Sequence, residues 1–305
     1  MVITTMSQII GSTPVFKFTD RDHPMPRGSV IYAKLEHLNP GGSIKDRLGQ
    51  YLIEKGIQTG QITDQTTIIE PTAGNTGIAL ALVALRHGLK TIFVVPKKFS
   101  LEKQQIMKAL GAVVINTPSE EGIAGAIAKS KELAKNTPHS YLPLQFENPA
   151  NPEAYYCSLG PEIVQELGTR LSSFVAGIGS GGTFAGTAKY LKEHIPSIRL
   201  IGVEPEGSIL NGGESHAHEI EGIGVEFIPP FFSDLPIDGF ETISDSEGFA
   251  YARELARKHG LLVGSSSGAA FVAALREVQR LPEGSLVLTI FPDMADRYLS
   301  KGIYQ

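Results

Sequence analysis

The sequence of 305 residues is 42% hydrophobic and 19% charged, with a formal net charge of -5. A chain of this size and composition can bury enough apolar surface to fold as a packed globular protein, which excludes general disorder. Its 27 basic residues, against 32 acidic ones, form no run longer than a pair, so the sequence shows no electrostatic surface for nucleic acid or an anionic membrane. Small molecules are therefore the expected partners.

No segment of the sequence has the pattern of a membrane span or a secretion signal. The longest apolar helical stretch, 77–85, is far shorter than the roughly 20 residues that a span requires. Lys17 is the first basic residue and Pro14 interrupts the residues before it, so we expect a cytoplasmic protein. The single cysteine, Cys157, permits no internal disulfide and has no partner at a metal-ligating spacing, so we expect no metal site.

Short β-branched runs alternate with helical patterns along the chain. The predicted strands are 31–35, 66–70, 91–95, 113–116, 172–176 and 199–204, and the predicted helices are 78–86, 101–110, 122–135 and 184–194. Alternation at this spacing predicts an α/β fold in which helices cover both faces of mostly parallel sheets. The stretch 145–152, with two prolines and two asparagines, predicts a crossing between two lobes, and 228–236 is a second long irregular region.

Residues 39–47 (NPGGSIKDR) form the first of four loops that could carry chemistry. Ser43 with Asp46 three residues later is a capping-box pattern, which places Lys45 in the first turn of a helix. A lysine is unfavourable there because that end of the helix dipole is positive. An electropositive, partly dry setting would lower the pKa of the amine from about 10.4 toward roughly 7–8, which suits a nucleophile or a base. A solvated lysine beside Asp46 is the alternative.

Residues 72–77 (TAGNTG) form the second loop, between a predicted strand and a predicted helix. Glycines there free the backbone N–H groups at the start of the helix, which favours binding of a carboxylate or a phosphate. Asn75 could add a side-chain hydrogen bond. A tight turn without a ligand is the alternative.

Residues 177–183 (GIGSGGT) form the third loop, again between a strand and a helix. Gly177, Gly179 and Gly182 match the dinucleotide-binding fingerprint, and Glu204 follows about 20 residues later. A nicotinamide dehydrogenase is therefore one interpretation. The same loop, which ends in Thr183, would equally suit one terminal phosphate.

Residues 264–268 (GSSSG) form the fourth loop and match the nucleophile elbow of hydrolases, with Ser266 at its centre. A hydrolase of that type requires a histidine later in the chain, but the last histidine is His259. The order of residues excludes the hydrolase. A hydroxyl that binds a ligand and a plain helix cap are the interpretations that remain.

Taken together, the four loops resemble the motifs of the pyridoxal-phosphate enzymes of the β-replacement type, the cysteine synthase and cystathionine β-synthase family. The resemblance covers essentially the whole chain. It implies a fold similar to the tryptophan synthase β subunit, with a smaller mobile domain (1–12 and 36–150) and a larger domain (13–35 and 151–305). It also implies pyridoxal 5'-phosphate in the cleft between these domains, and a homodimer.

The resemblance implies a role for each loop. Lys45 would form the Schiff base with the cofactor, Asn75 would bind its ring hydroxyl, and Ser266 would face its pyridine nitrogen. The residues implied to cradle the phosphate are Gly179, Ser180, Gly181, Gly182 and Thr183. The residues implied to bind the amino-acid substrate are Thr72, Ala73, Gly74, Asn75, Thr76, Gln145, Tyr156, Glu221, Gly222, Ile223 and Gly224.

The implied reaction replaces the β-substituent of O-acetyl-L-serine, with L-serine as the alternative donor, through an aminoacrylate. Lys45 would remove the α-proton. The neutral Ser266 would leave the ring nitrogen unprotonated, which favours prompt β-elimination. A sulfur nucleophile would then add, so that homocysteine gives cystathionine and sulfide gives cysteine.

Three segments, 205–210 (PEGSIL), 221–224 (EGIG) and the tyrosine pair 155–156, resemble the cystathionine β-synthases more than the plain cysteine synthases. Ala73 stands where members of the family commonly have serine, so one hydroxyl contact to the substrate is absent. The three segments favour a small bacterial-type enzyme, which would use O-acetylserine with homocysteine or sulfide as acceptor. A strict cysteine synthase is the alternative, and an NAD-dependent dehydrogenase built on the third loop is a remote alternative from another class.

Overall fold

The structure is a computed structural model that describes residues 2–232 and 235–305. Met1, in the predicted smaller domain, and Ser233 and Asp234, in the predicted irregular region, lie outside the described residues. The chain divides into unit 1 (Met1–Ile10 and Asn39–Ala150) and unit 2 (Gly11–Leu38 and Asn151–Gln305). Within the described ranges, no helix is long and apolar enough to cross a membrane.

Strands and helices alternate along the described chain. The strands are β1 (Val15–Thr19), β2 (Val30–Leu35), β3 (Thr67–Pro71), β4 (Lys90–Pro96), β5 (Val113–Thr117), β6 (Ser140–Tyr141), β7 (Ser173–Gly177), β8 (Arg199–Pro205), β9 (Gly239–Ile243) and β10 (Leu286–Phe291). The α-helices are α1 (Lys45–Gln58), α2 (Asn75–Arg86), α3 (Leu101–Ala109), α4 (Gly122–Asn136), α5 (Ala150–Cys157), α6 (Leu159–Leu167), α7 (Gly182–His194), α8 (Asp245–His259) and α9 (Ser265–Gln279). Two mostly parallel sheets with these helices confirm the predicted α/β class.

Unit 1 is built on a parallel sheet with the strand order β5-β4-β3-β6. All five residues of β3 are buried, as expected for a central strand of a parallel sheet. The chain proceeds from β3 outward through β4 to β5 and then returns to β6 on the other side of β3. The strand order therefore reverses between β3 and β6, and ligands in such sheets bind outside the carboxyl ends of the strands at this point.

Unit 2 is built on a larger sheet with the order β1-β2-β10-β7-β8-β9, in which β1 is antiparallel to β2 and the other pairs are parallel. The chain proceeds from β7 through β8 to β9 and returns to β10 on the other side of β7. The strand order reverses between β7 and β10. This edge of the sheet is therefore the expected binding crevice of unit 2.

Helix α9 is buried along most of its length against this sheet. Small residues allow a close approach to α8, because a Cβ atom on Gly268 would lie 2.0 Å from the backbone oxygen of Gly248. Phe271 of α9 packs against Phe18 of β1, with ring centroids 4.6 Å apart. The packing of α9 fixes its first turn, which carries Ser266.

The predicted capping box at the start of α1 is wrong. The Ser43 hydroxyl accepts the N–H of Lys45 at 3.3 Å, whereas the Asp46 carboxylate accepts the N–H of Gly41 at 2.5 Å. The loop turns through Gly42, whose φ is +75, and this turn brings Gly41 to the carboxylate. The related prediction that Lys45 lies in the first turn of a helix is confirmed, because Lys45 is the first residue of α1.

Candidate active site

The loop before α1 is held by a buried carboxylate. Asp46 is fully buried and its oxygens take up the space above Gly41, where a Cβ atom would lie 2.4 Å from Oδ1. Only glycine fits at this position without a shift of the loop or the carboxylate. The glycines of the first loop therefore fix the start of α1 and, with it, the backbone of Lys45.

Lys45 is partly buried, and its burial lowers the pKa of the amine from 10.5 to about 8, an effect that the nearby Glu70 carboxylate partly opposes. The predicted direction of this shift is confirmed. The main cause is loss of hydration, with no contribution required from the helix dipole. An amine with this pKa is neutral in a substantial fraction of molecules near neutral pH, so Lys45 can act as a base or a nucleophile.

The second loop connects β3 to α2 by a turn that the Thr72 hydroxyl closes, since it accepts the N–H of Gly74 at 2.9 Å. Gly74 has φ +133, a backbone conformation that favours glycine. Asn75 and Thr76 are the first residues of α2, whose first turn carries no acidic side chain. The start of this helix is therefore suited to a negatively charged group.

Gln145 reaches this loop from the segment after β6. The Thr76 hydroxyl donates a hydrogen bond to its Oε1 at 2.8 Å, and both side chains are buried. This contact lies where the strand order of unit 1 reverses. The structure therefore brings together Thr76 and Gln145, which the sequence analysis assigned to one substrate group.

Sequence reasoning missed Glu70, the fourth residue of β3. Its side chain is fully buried, and its two carboxylate oxygens accept the N–H groups of Leu144 at 2.7 Å and Gln145 at 3.0 Å. Burial raises the pKa of Glu70 above its ordinary value, whereas these two N–H groups and the Lys45 amine stabilise the ionised carboxylate. A single charged residue in a strand that is otherwise uncharged was the signal that could have identified it.

The third loop follows β7 and leads into α7, the first residue of which is Gly182. Gly181, immediately before the helix, has φ +87. The backbone N–H groups of Gly181, Gly182 and Thr183 donate to no other residue in the described part of the chain. Three such donors at the positive end of a helix are suited to an anion such as a terminal phosphate.

The buried Ser180 hydroxyl accepts a hydrogen bond from the Asn151 side chain at 3.0 Å. Sequence reasoning missed Asn151, because it lies in the stretch that was interpreted as a crossing between lobes. An asparagine between two prolines offers no local signal of this contact. Asn151 positions the middle of the third loop.

The predicted substrate segment 222–224 packs against the third loop. The N–H of Gly224 donates to the backbone oxygen of Ile178 at 2.8 Å. A Cβ atom on Gly179 would lie 2.4 Å from the backbone oxygen of Gly222, so glycine is required for this approach. Buried Ile223 lies beside Gly177 at the same place.

Ser266 is the second residue of α9 and is 2% exposed. The N–H of Gly264, which precedes the helix, donates to the backbone oxygen of Asp293 at 2.9 Å, just after β10. The carboxyl ends of the neighbouring parallel strands β7 and β10 meet at one edge of the sheet. The start of α9 and the third loop therefore lie at the same edge.

Tyr156 and Glu221, two of the predicted substrate residues, differ from each other in their surroundings. The Tyr156 hydroxyl donates to Glu193 at 2.7 Å. Because a helix rises about 1.5 Å per residue, Glu193 is roughly 16 Å along α7 from Gly182, so the Tyr156 hydroxyl lies away from the third loop. The Tyr156 backbone N lies closer to that loop, since it would be 3.0 Å from a Cβ atom on Gly186. Glu221, which directly precedes segment 222–224, is mostly buried. Its Oε1 lies 3.3 Å from the Lys301 amine.

The dehydrogenase alternative requires the Glu204 carboxylate to bind a ribose. In the structure, this carboxylate instead accepts hydrogen bonds from other residues of the chain. Glu204 is buried and accepts the N–H groups of Leu210 at 2.8 Å and Asn211 at 3.0 Å. It also accepts the Thr242 hydroxyl at 3.1 Å. Glu204 therefore orders the loop after β8, which is a structural role.

Comparisons with known proteins agree on the family of this chain. A family model described as "Pyridoxal-phosphate dependent enzyme" matches residues 6–293. A cysteine synthase of Helicobacter pylori is 80% identical over 304 residues, which cover 100% of this chain and 99% of that protein. An O-acetylserine dependent cystathionine beta-synthase of Bacillus subtilis is 52% identical over 304 residues, covering 100% and 98%. The crystal structure of an O-acetylserine dependent cystathionine beta-synthase from Helicobacter pylori matches with a TM-score of 0.99 and 80% identity over 100% of both chains.

Proposed function

We propose that this chain, which belongs to the family of pyridoxal-phosphate dependent enzymes, exchanges the β-substituent of O-acetyl-L-serine for a thiol, with homocysteine as acceptor and cystathionine as product. The observation that carries the β-replacement is the position of Lys45 at the first residue of α1, where burial lowers the pKa of its amine to about 8. The family match also leaves no support for the dehydrogenase, in agreement with the hydrogen bonds of Glu204.

The residues of the chain fit the cofactor. A phosphate dianion suits the three N–H donors of the third loop, and the Thr183 hydroxyl follows them. When bound, pyridoxal phosphate supplies an aldehyde that condenses with amines and a ring that withdraws electrons from the α-carbon of the substrate. We assign Lys45 to the aldehyde, Asn75 to the ring hydroxyl and Ser266 to the ring nitrogen.

Lys45 moves the proton in this proposal. Its neutral amine, which a pKa of about 8 makes available in roughly a tenth of the molecules at pH 7, takes the α-proton of the donor. A serine hydroxyl at the position of Ser266 is neutral, so it places no charge at the ring nitrogen. We expect Ser266→Asp to slow elimination from O-acetylserine, and an unchanged rate would remove Ser266 from this position.

The donor carboxylate is assigned to the second loop, 72–76, together with Gln145. The start of α2 offers a positive dipole end and backbone N–H groups, and the Thr76 hydroxyl is held against Gln145. Ala73, which is partly exposed, contributes no hydroxyl. Segment 222–224, which packs on the third loop, is assigned to the amino-acid side of the substrate.

The identity of the thiol acceptor is a separate part of the proposal. The relatives that are 80% identical are named a cysteine synthase in one comparison and an O-acetylserine dependent cystathionine beta-synthase in the other. Sulfide, with cysteine as product, is therefore the second candidate. The deciding experiment crosses O-acetylserine and serine with homocysteine and sulfide and measures each product. Cystathionine formation from O-acetylserine at a rate comparable to or above that of cysteine supports the proposal, whereas an enzyme inert toward homocysteine is a cysteine synthase.

We also propose a homodimer, and this proposal rests on the resemblance to the family. Light scattering coupled to size-exclusion chromatography would test it directly, because the mass of one chain is 32.7 kDa. A particle of twice that mass supports the dimer. A particle of the mass of one chain contradicts it.

A further inference from the structure

Glu70 is a charged residue at a position where the fold does not require one. It lies in β3, the five residues of which are all buried, and its own side chain is 0% exposed. A carboxylate is rarely found fully buried unless it is paired, because the loss of hydration is costly. Its partners in the structure should therefore indicate its purpose.

The partners are two successive backbone N–H groups of one loop. Oε2 of Glu70 accepts the N–H of Leu144 at 2.7 Å, and its Oε1 accepts the N–H of Gln145 at 3.0 Å. Glu70 is more than 70 positions away from both residues in the sequence. Consecutive N–H groups that converge on one anion form the arrangement known as a nest. Glu70 thus holds the backbone of the segment that follows β6.

That segment has an unusual backbone conformation. Leu144 has φ +50, the left-handed region that non-glycine residues rarely adopt. Such conformations persist only when the surroundings hold them, and they concentrate at functional sites. The carbonyl oxygen of Leu144 also accepts the N–H groups of Glu147 and Asn148, so this residue is the turning point of the loop.

The next residue, Gln145, is held by hydrogen bonds to both its backbone and its side chain. Its backbone N–H is bound by Glu70, and its Oε1 accepts the Thr76 hydroxyl at 2.8 Å. These two hydrogen bonds restrain both the backbone and the side chain of Gln145, which directly follows the left-handed turn at Leu144.

We propose that Glu70 is a positioning residue, whose carboxylate holds Leu144 and Gln145 in the conformation that presents Gln145 to the carboxylate of the amino-acid donor. This inference rests on the proposed function, which assigns Gln145 to that carboxylate. Glu70 and Lys45 also interact electrostatically, and each opposes the effect of burial on the pKa of the other.

The test compares holoenzymes that carry Glu70→Gln and Glu204→Gln in the reaction with O-acetylserine. Glutamine keeps the shape of the side chain, but its NH₂ group cannot accept a backbone N–H. We expect the KM of Glu70→Gln for O-acetylserine to rise about ten- to hundredfold, with kcat lowered less than about threefold. Glu204→Gln is the matched control, because Glu204 is also a buried carboxylate that accepts two successive backbone N–H groups. Its KM should stay within about twofold of wild type.

A second pair of variants leaves Glu70 in place, so that the proposal stays testable if Glu70→Gln does not fold. Leu144→Val introduces a β-branched residue that resists positive φ, and we expect its KM to rise. Leu144→Gly adopts positive φ without strain, and its KM should stay within about threefold of wild type.

The outcomes separate the two proposals. An unchanged KM in both Glu70→Gln and Leu144→Val, or a loss confined to kcat, would overturn the positioning role while wild-type turnover of O-acetylserine still stands. Absence of wild-type turnover with O-acetylserine and with serine would instead overturn the proposed function. Intact visible absorption of the bound cofactor in each variant shows that the compared proteins are loaded and folded.

Discussion

Gly182 and Asn151 approach each other so closely that a Cβ atom on Gly182 would lie 1.9 Å from the Asn151 side-chain oxygen. The same asparagine donates to the Ser180 hydroxyl at 3.0 Å. One buried side chain thus supports both the loop after β7 and the first residue of α7. This support holds the N–H donors of the third loop in place for an anion, as a preorganised site requires.

We predict that Thr183→Val weakens binding of pyridoxal phosphate. A hydroxyl donor to a phosphate dianion contributes about 1.5–3 kcal/mol, so the dissociation constant should rise roughly ten- to hundredfold. Titration of the apoenzyme with the cofactor, followed by visible absorption, measures it. Thr187→Val is the matched control one turn later in α7, because the Thr187 hydroxyl is buried and has no hydrogen-bond partner in the described chain. Equal losses in both variants would contradict a specific role for Thr183.

We predict that Lys45→Ala abolishes turnover and leaves the fold intact, since alanine is well tolerated at the start of a helix. Product formation and the thermal unfolding midpoint measure the two parts. Lys55→Ala, on the last turns of the same helix, should retain wild-type rates. Wild-type rates in Lys45→Ala would show that the catalytic amine belongs to another residue.

We predict that Glu221→Gln lowers cystathionine formation more than cysteine formation. Homocysteine carries its own ammonium and carboxylate and needs polar partners, whereas sulfide does not. Loss of one hydrogen bond to a charged group costs about 1.5–3 kcal/mol, or roughly ten- to hundredfold in kcat/KM for homocysteine.

Tyr156→Phe is the comparison variant for Glu221→Gln, because the Tyr156 hydroxyl already donates to Glu193. We expect it to leave the ratio of the two products within about twofold of wild type. If Glu221→Gln reduced both products equally, Glu221 would act on the shared half-reaction or, through Lys301, on folding.

We predict that the free energy of unfolding falls as the pH falls below about 6.5. His23 is buried, its Nε2 lies 3.2 Å from that of His259, and burial lowers its pKa from 6.5. The unfolded chain therefore binds a proton at a higher pH than the folded one, and stability is lost progressively below 6.5 as the pH approaches the lower pKa of the folded state. Urea unfolding between pH 5 and pH 8, values that bracket this range, should show a smaller pH dependence for His23→Gln than for wild type. The same slope in both proteins would remove His23 as the cause.

Local pattern in the sequence determined much of this protein. Strand and helix periodicity predicted the α/β class, and β3, α2, β7 and α7 occur close to their predicted positions. Lys45 stood out because a lysine at the start of a helix conflicts with the helix dipole. The glycine loops were recognisable because glycine and the start of a helix together offer backbone N–H groups, which is a property of adjacent residues.

Only the tertiary structure decided which distant residues support those loops. Glu70 and Gln145 are separated by 75 positions, and Asn151 and Ser180 by 29, so no local pattern links them. The left-handed conformation of Leu144 likewise has no signal in the sequence, since leucine itself does not favour positive φ. A chain specifies its helices and turns through neighbours in sequence, whereas the hydrogen bonds that orient a site depend on how the strands are ordered in the folded sheets.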